Sequence, residues 1–312
     1  MGNKLISIIS NCYNEEENVE ELYRQVKNVF DGLKVYSYEH IFIDNCSTDN
    51  TVSILRRMAE KDKNVKVILN SRNFGQIRAG FHGLLQGSGD AVILVVSDLQ
   101  DPPAMIADFL KKWEEGYKIV VAIKKNSEET KIMFTLRRIY YYLIKKLSEV
   151  ELIQNFTGFG LYDKKVIEIL REINDPYPYF RGLICDIGLE RAELEYVQPK
   201  RKKGLTKNNF YTLYDIAMLG ITSHSKIPLR IAVILGFIVS FMNILVALFY
   251  FFYKMLFWDS FSVGIAPLII GLFFFSSAQL LFVGILGEYL GAIHNHVLKR
   301  PLVVEKERVN FD

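Results

Sequence analysis

This chain of 312 residues has few of the residues that staple or ligate. Its three cysteines, Cys12, Cys46 and Cys185, form no CxxC pair and no even framework. That excludes a disulfide scaffold and points to reduced thiols in a cytosolic setting. The five histidines include His294 and His296, but no zinc spacing accompanies them, so they read as non-ligands. The net charge of +3 is too small to imply a nucleic-acid partner. No GxGxxG opens a helix, since Gly87-Ser88-Gly89 precedes a strand, and no GxxxxGK[ST] occurs. Dinucleotide and P-loop chemistry are therefore unsupported. Lys4 to Ser10 leads straight into polar Asn11 and Asn14, so no signal peptide is expected. Met1-Gly2 fails as a myristoylation motif because Ile6 takes the Ser/Thr place. Neither an internal repeat nor a low-complexity segment is visible.

What is present begins with one stretch. Val92-Ile93-Leu94-Val95-Val96-Ser97 is an apolar run that ends in Asp98-Leu99-Gln100-Asp101-Pro102-Pro103. The run reads as a buried parallel strand. Asp98 then falls at its carboxyl end, where open α/β sheets bind ligands. Asp98 and Asp101 are the candidate catalytic acids. With the carbonyl of Gln100 they also offer the oxygen ligands that hard divalent cations take. For Asp101 a second reading stays open, because Asp followed by Pro102 and Pro103 is a good helix start.

Four further short runs read as strands: Leu5 to Ser10, His40 to Asp44, Val65 to Asn70 and Lys118 to Ile123; the first run spans Ala91 to Ser97. Glu15 to Phe30, Thr48 to Lys61, Gln76 to Gln86 and Ala104 to Glu115 read as helices between them. The alternation predicts a parallel sheet with right-handed crossovers. Polar clusters fall at the strand ends: Asn11 to Glu16, Asp44 to Asp49, Asn70 to Gly75, and the acid stretch. Any one could be turn and cap chemistry; four on one rim make a ligand crevice.

Composition shifts late in the chain. Ile231 to Tyr253 and Val263 to Gly287 contain no charged residue, and each is long enough to span about 30 Å of hydrocarbon. Lys254 to Ser262 is short, so the two form a hairpin. Lys200, Arg201, Lys202, Lys203, Lys207, Lys226, Arg230, Lys299 and Arg300 flank it on one side, against Lys254 in the loop. The positive-inside rule places the soluble part in the cytoplasm. Thr130 to Leu147 reads as a basic amphipathic helix, lying on an anionic membrane surface or packed on the sheet. Phe210, Leu213, Ala217 and Ile221 suggest a second interfacial helix over 208–224. The chain thus divides into a cytoplasmic α/β domain (1–226), a transmembrane hairpin (227–290) and a cytoplasmic tail (291–312).

Taken together, Tyr13-Asn14-Glu15-Glu16, Asp44 to Thr51, Arg72-Asn73-Phe74-Gly75, Asp98 to Pro103, Gly287-Glu288-Tyr289-Leu290 and Lys299-Arg300-Pro301-Leu302 resemble glycosyltransferase family 2 over nearly the whole chain. The branch that makes polyprenyl-phosphate sugars is the most similar. The resemblance implies a GT-A, Rossmann-like catalytic domain, a nucleotide-sugar donor (a UDP-sugar first), Mg²⁺ or Mn²⁺, and inversion at the anomeric carbon. It implies that Asp44 contacts the donor base, with Asn14, Glu15 and Asn73 near the nucleotide. Asp98 and Gln100 would hold the metal. Lys124, Arg137, Arg138, Arg201 and Lys207 would meet the phosphate of a polyprenyl acceptor. Val96 stands where many relatives have a first metal acid, and Gly158 where many have an aspartate; Asn155 and Asp163 are the nearby replacements. Implied partners are the lipid bilayer, a flippase, a downstream glycosyltransferase and a second copy of the chain. Two rivals are a processive polysaccharide synthase and a non-catalytic nucleotide-binding scaffold. Against the first, no QxxRW is present: neither Trp113 nor Trp258 follows an arginine.

Overall fold

The computed structural model of the protein describes residues 3–125, 153–199, 210–257, 265–298 and 300–311. The helix expected over 130–147, the cations Arg137, Arg138, Arg201 and Lys207, and much of the hairpin loop lie outside the described residues.

Apolar runs become strands and amphipathic runs become helices in the expected order. Strand β1 (Lys4–Cys12) leads to α1 (Val19–Gly32), β2 (Tyr36–Asp44) to α2 (Thr51–Lys61), and β3 (Val65–Asn70) to α3 (Gln76–Leu85). Strand β4 (Ala91–Leu94) and a 3₁₀ turn at Pro103–Met105 precede α4 (Ile106–Glu114) and β5 (Ile119–Lys124). Helix α1 shows how the pattern works. Val19, Leu22, Val26 and Phe30 recur at helical spacing, and all four are buried. Along β1 the alternation puts Ile6 and Ile8 into one core layer and Ile9 into the other. The first layer packs Phe42, Val67 and Ile93 against α1, α2 and α4, and the second packs Ile43, Ile68 and Val92 against α3. A sheet covered on both faces needs such apolar strands.

Parallel pairing holds for β3, β2, β1 and β4. It fails beyond β4, where the expectation of a purely parallel sheet is corrected. Strand β6 (Phe156–Asp163) wedges between β4 and β5 and runs antiparallel to both. Its Phe156, Phe159, Leu161 and Tyr162 are buried, so it suits an interior place. Helices α5 (Lys164–Ile173) and α6 (Phe180–Asp186) follow, and β7 (Arg191–Tyr196) pairs parallel with β5 at one edge.

Helix α7 (Phe210–His224) leads into α8 (Ile227–Leu256) and α9 (Ile265–Val297). At 30 and 33 residues, both exceed the ~20 residues a bilayer needs. Their apolar side chains face outward, with Phe237 73% and Leu280 71% exposed. Such surface is stable only in lipid or against a partner. Helix α9 continues past residue 290 to Val297, and the chain then turns back to the sheet. Strand β8 (Glu305–Val309) pairs antiparallel with β3 and closes the other edge. The full order is β7-β5-β6-β4-β1-β2-β3-β8. Arg56–Glu307 (2.6 Å), His82–Glu305 (2.7 Å) and Asn310 bonded to the carbonyls of Ala59 and Val65 fasten this returning strap.

Candidate active site

Parallel strands leave their carboxyl ends on one rim, and four polar loops meet there. Asp44 ends β2 and is buried. Its carboxylate accepts from the Ser47 N–H at 3.0 Å and from the Ser47 hydroxyl. Burial pushes the Asp44 carboxyl up, and the Ser47 bonds oppose it. Ser47 Oγ also accepts from the Asn14 N–H at 2.8 Å, while Asn14 Oδ1 accepts from the Thr48 N–H at 2.7 Å. The Glu15 N–H donates to Thr51 Oγ1 at 2.9 Å. The first two loops are therefore laced together, and Asn14, Glu15 and Asp44 do converge.

The third loop joins through Asn45. Its side chain donates to Asn73 Oδ1 at 2.8 Å and accepts from the Phe74 N–H at 3.0 Å. Asn73 also accepts from the Gly75 N–H at 2.8 Å. Gly75 has φ +80° and opens α3, a conformation open to glycine at no steric cost.

Strand β4 ends at Leu94, three residues earlier than expected, although the Val95 N–H still reaches the Ile9 carbonyl at 2.9 Å. Asp98 thus sits in a turn beyond the strand. There its Oδ1 accepts from the Gln100 N–H at 3.1 Å. Asp101 folds under that turn and is 2% exposed. It does not cap the following 3₁₀ turn; it accepts from the Val96 N–H (3.4 Å) and from Tyr196 Oη (3.1 Å). Burial and then the Asp98 charge push its carboxyl up to about 7. Lys124, at the end of β5, adds an opposing positive field. Asp101 therefore braces the turn that presents Asp98 and Gln100.

Backbone strain collects on the same rim. Asn14, Cys46, Leu99 and Asn155 are non-glycine residues with φ of +54°, +66°, +60° and +57°. Non-glycine residues held in this conformation cost on the order of 1–3 kcal/mol each. Among the described residues, Asn70 Oδ1 and Ser97 Oγ are buried near these strand ends with no hydrogen-bond partner, and Asn11 Oδ1 likewise against α3. Unmatched polar atoms beside a strained loop mark a place built for a ligand.

Gly158 stands in its position for a backbone reason. Its φ is +108°, and an added Cβ would lie 3.4 Å from Leu94 Cδ2 and 3.6 Å from Phe180 Cε1. Asn155 lies at the rim, where its carbonyl accepts from the Lys124 N–H at 3.2 Å. Asp163 does not: it lies at the opposite end of β6, bonded to Trp113, Lys118 and the Lys165 N–H. It is removed from the site. Tyr196 was missed from the sequence because it ends a charged strand, Arg-Ala-Glu-Leu-Glu-Tyr, that carries no motif.

Among the described residues, no three His, Cys, Asp or Glu side chains gather to hold a metal by themselves. The donor set at Asp98 and Gln100 is hard oxygen. It suits a Mg²⁺-like ion that takes one or two carboxylates and completes its shell from diphosphate and water.

A mixed sheet with a polar rim at the ends of β1 to β4 is the GT-A architecture of sugar transferases. The chain belongs to the glycosyl transferase family 2, whose model matches residues 7–170, and it is a glycosyltransferase. It is 34% identical over 307 residues to the uncharacterized glycosyltransferase YkcC of Bacillus subtilis, covering 98% of this chain and 94% of that one. It is 32% identical over 303 residues to the bactoprenol glucosyl transferase of Shigella phage SfII, covering 97% of both. Among solved structures, mannosyltransferase PcManGT from Pyrobaculum calidifontis, with GDP-Man and Mn²⁺, matches with TM-score 0.48 and 16% identity, over 70% of this chain and 61% of that one. The family expectation drawn from the motifs is borne out.

Proposed function

We propose that the protein moves a hexose or modified hexose from a nucleotide-sugar, a UDP-sugar first, to polyprenyl phosphate at the cytoplasmic membrane face. The observation that carries this reading is the pairing of a water-facing nucleotide rim with two bilayer-length helices on one chain. A soluble donor and a lipid acceptor need both. The similarity to a bactoprenol glucosyl transferase, over almost the whole of both chains, supports the same acceptor class.

In this reading Asp44, Asn14 and Glu15 receive the nucleoside, with Asn73 held against them by Asn45. Asp98 and Gln100 would hold Mg²⁺ or Mn²⁺, which when bound would supply Lewis-acid neutralisation of the departing diphosphate. Lys124, Arg137, Arg138, Arg201 and Lys207 orient the acceptor phosphate by charge-assisted bonds. A lipid phosphate is already anionic near neutral pH, its second pKa being about 6 by analogy with phosphorylated side chains. Its oxygen forms the new bond to the anomeric carbon as the bond to the nucleoside diphosphate breaks on the opposite face. No strong base is needed, so positioning and charge stabilisation do the catalysis. Asp101 contributes by bracing the turn.

A lipid-linked sugar made on the cytoplasmic face serves cell-envelope glycans only after crossing the bilayer. A flippase and a downstream glycosyltransferase are therefore the expected partners, and a second copy of the chain a further one. The deciding experiment incubates membranes containing the protein with labelled UDP-, GDP- and CDP-sugars and polyprenyl phosphate, followed by lipid extraction. Label in a mild-acid-labile lipid supports the reading. Label only in aqueous polymer, or none with any donor, refutes it.

A further inference from the structure

Three arginines converge beside the third rim loop, and none has a carboxylate partner among the described residues. Arg72 is exposed, with Cζ 4.0 Å from the Phe74 ring centroid and Nη1 bonded to the Asn73 carbonyl at 3.1 Å. Arg78, in the first turn of α3, lies 5.5 Å over the same ring. Its Nη2 donates to the Pro301 carbonyl, while its Nε is buried with no hydrogen-bond partner. Arg300 is exposed and adjoins Pro301; Arg72 and Arg300 each act on Arg78 as neighbouring positive charges. Tyr177 feels both Arg78 and Asp215, but among the described residues no acid reaches the arginines closely enough to pair.

Like charges gathered without a counter-ion repel one another, and a bound anion relieves the cost. Two features fit a phosphate in particular. Guanidinium groups stacked on an aromatic face are held with their N–H forks oriented, and such forks match phosphate oxygens. Helix α3 also begins beside them with no side-chain cap and no acid in its first turn, so its positive end is available to an anion.

The position selects the source of the phosphate. Arg300 lies three residues beyond the end of α9 at Val297, on the polar extension of the helix that carries the second bilayer-length run. We infer that Arg72, Arg78 and Arg300 form a phosphate site for the headgroup of an anionic membrane lipid. The site uses none of the cations named for the acceptor. It rests on the membrane helices and the arginine geometry, and stands whatever sugar or acceptor the enzyme uses.

The test uses the full chain in detergent and native mass spectrometry. Dioctanoyl phosphatidylglycerol is the probe, with dioctanoyl phosphatidylcholine and inorganic phosphate as separate arms. Arg72→Gln and Arg300→Gln carry the result, because both residues are exposed and their loss spares the core; Arg78→Gln also breaks the Pro301 bond. Each should weaken the tightest phosphatidylglycerol adduct roughly fivefold to tenfold and leave phosphatidylcholine unchanged. Arg24→Gln, on the exposed face of α1, should bind as the wild type does. Wild-type affinity in both test variants overturns the site. So does equal weakening by Arg24→Gln, which would mean unspecific charge attraction. Inorganic phosphate binding in place of phosphatidylglycerol would overturn the lipid assignment.

Discussion

Asp163 is the acid that the sequence offers near Gly158, where many relatives have an aspartate, yet the fold gives it a structural task that can be measured. Its Oδ2 accepts from Trp113 Nε1 at 2.8 Å and from Lys118 Nζ at 2.9 Å, and its Oδ1 caps α5 through the Lys165 N–H at 3.0 Å. Asp163→Ala removes the cap, worth about 1 kcal/mol. It also leaves the indole N–H of Trp113, which is 9% exposed, without a partner, at about 1–3 kcal/mol. The expected loss is therefore about 2–4 kcal/mol. Chemical denaturation of the full chain in detergent, followed by near-ultraviolet circular dichroism, would report it. Trp113→Phe in the same background should recover part of the loss, because the orphaned donor goes with the indole. The pH dependence has a definite sign. Burial raises this carboxyl, but the bonds from Lys118, Trp113 and Lys165 outweigh it, so the folded value lies below the ordinary one. That stability is present above the unfolded value near 4 and is lost as pH falls through the folded value. Asp163→Ala should flatten the acid limb. Loss of sugar transfer with an unmoved denaturation midpoint would refute the structural assignment.

Asp98→Asn should lower sugar transfer a hundredfold or more, the scale of losing one preorganised electrostatic contact, and chelator should inhibit the wild type; full activity in excess EDTA would remove the metal. With Cys46 replaced by serine, Ser260→Cys should react with an impermeant maleimide from outside intact cells and Lys306→Cys should not; the reverse pattern would invert the topology. Arg137→Ala or Arg201→Ala should raise the acceptor concentration needed in detergent at saturating donor, with donor binding kept. Unchanged acceptor kinetics in both would leave these residues as headgroup anchors worth about 1 kcal/mol each.

The rim was legible in the sequence because buried parallel strands are apolar throughout and stop at polar loops. Asp44, Asn14 and Asn73 could be placed from those stops alone. Of the three strands not read from the sequence, β6, β7 and β8, the last two were hidden for a physical reason. Strands β7 and β8, Arg-Ala-Glu-Leu-Glu-Tyr and Glu-Lys-Glu-Arg-Val, are edges. Edge strands carry charge to avoid unwanted pairing, so their sequence resembles exposed loop. Tyr196, which braces Asp101, arrives on one such strand. The depth of Asp101 was equally invisible, since a carboxylate under a turn reads like one on its surface. Asp163 shows the converse: the motif position drew attention to it, and the antiparallel direction of β6 carried it to the far end of the sheet.

Closure of the sheet by β8 has a consequence for how the protein is made. The outer edge of β3 emerges from the ribosome early, but its neighbour follows only after both bilayer-length helices. Arg56 and Glu307, which clasp that edge, are 251 positions apart. Until then β3 presents unpaired backbone groups to its surroundings, the form of edge that recruits other chains. On the topology proposed above, the two helices cross the bilayer as a pair and return the tail to the side on which the sheet folds. A chain with only one of the two helices inserted would strand residues 305–309 across the bilayer and leave the sheet open. Closure of the sheet edge on this topology therefore depends on insertion of the two helices as a pair.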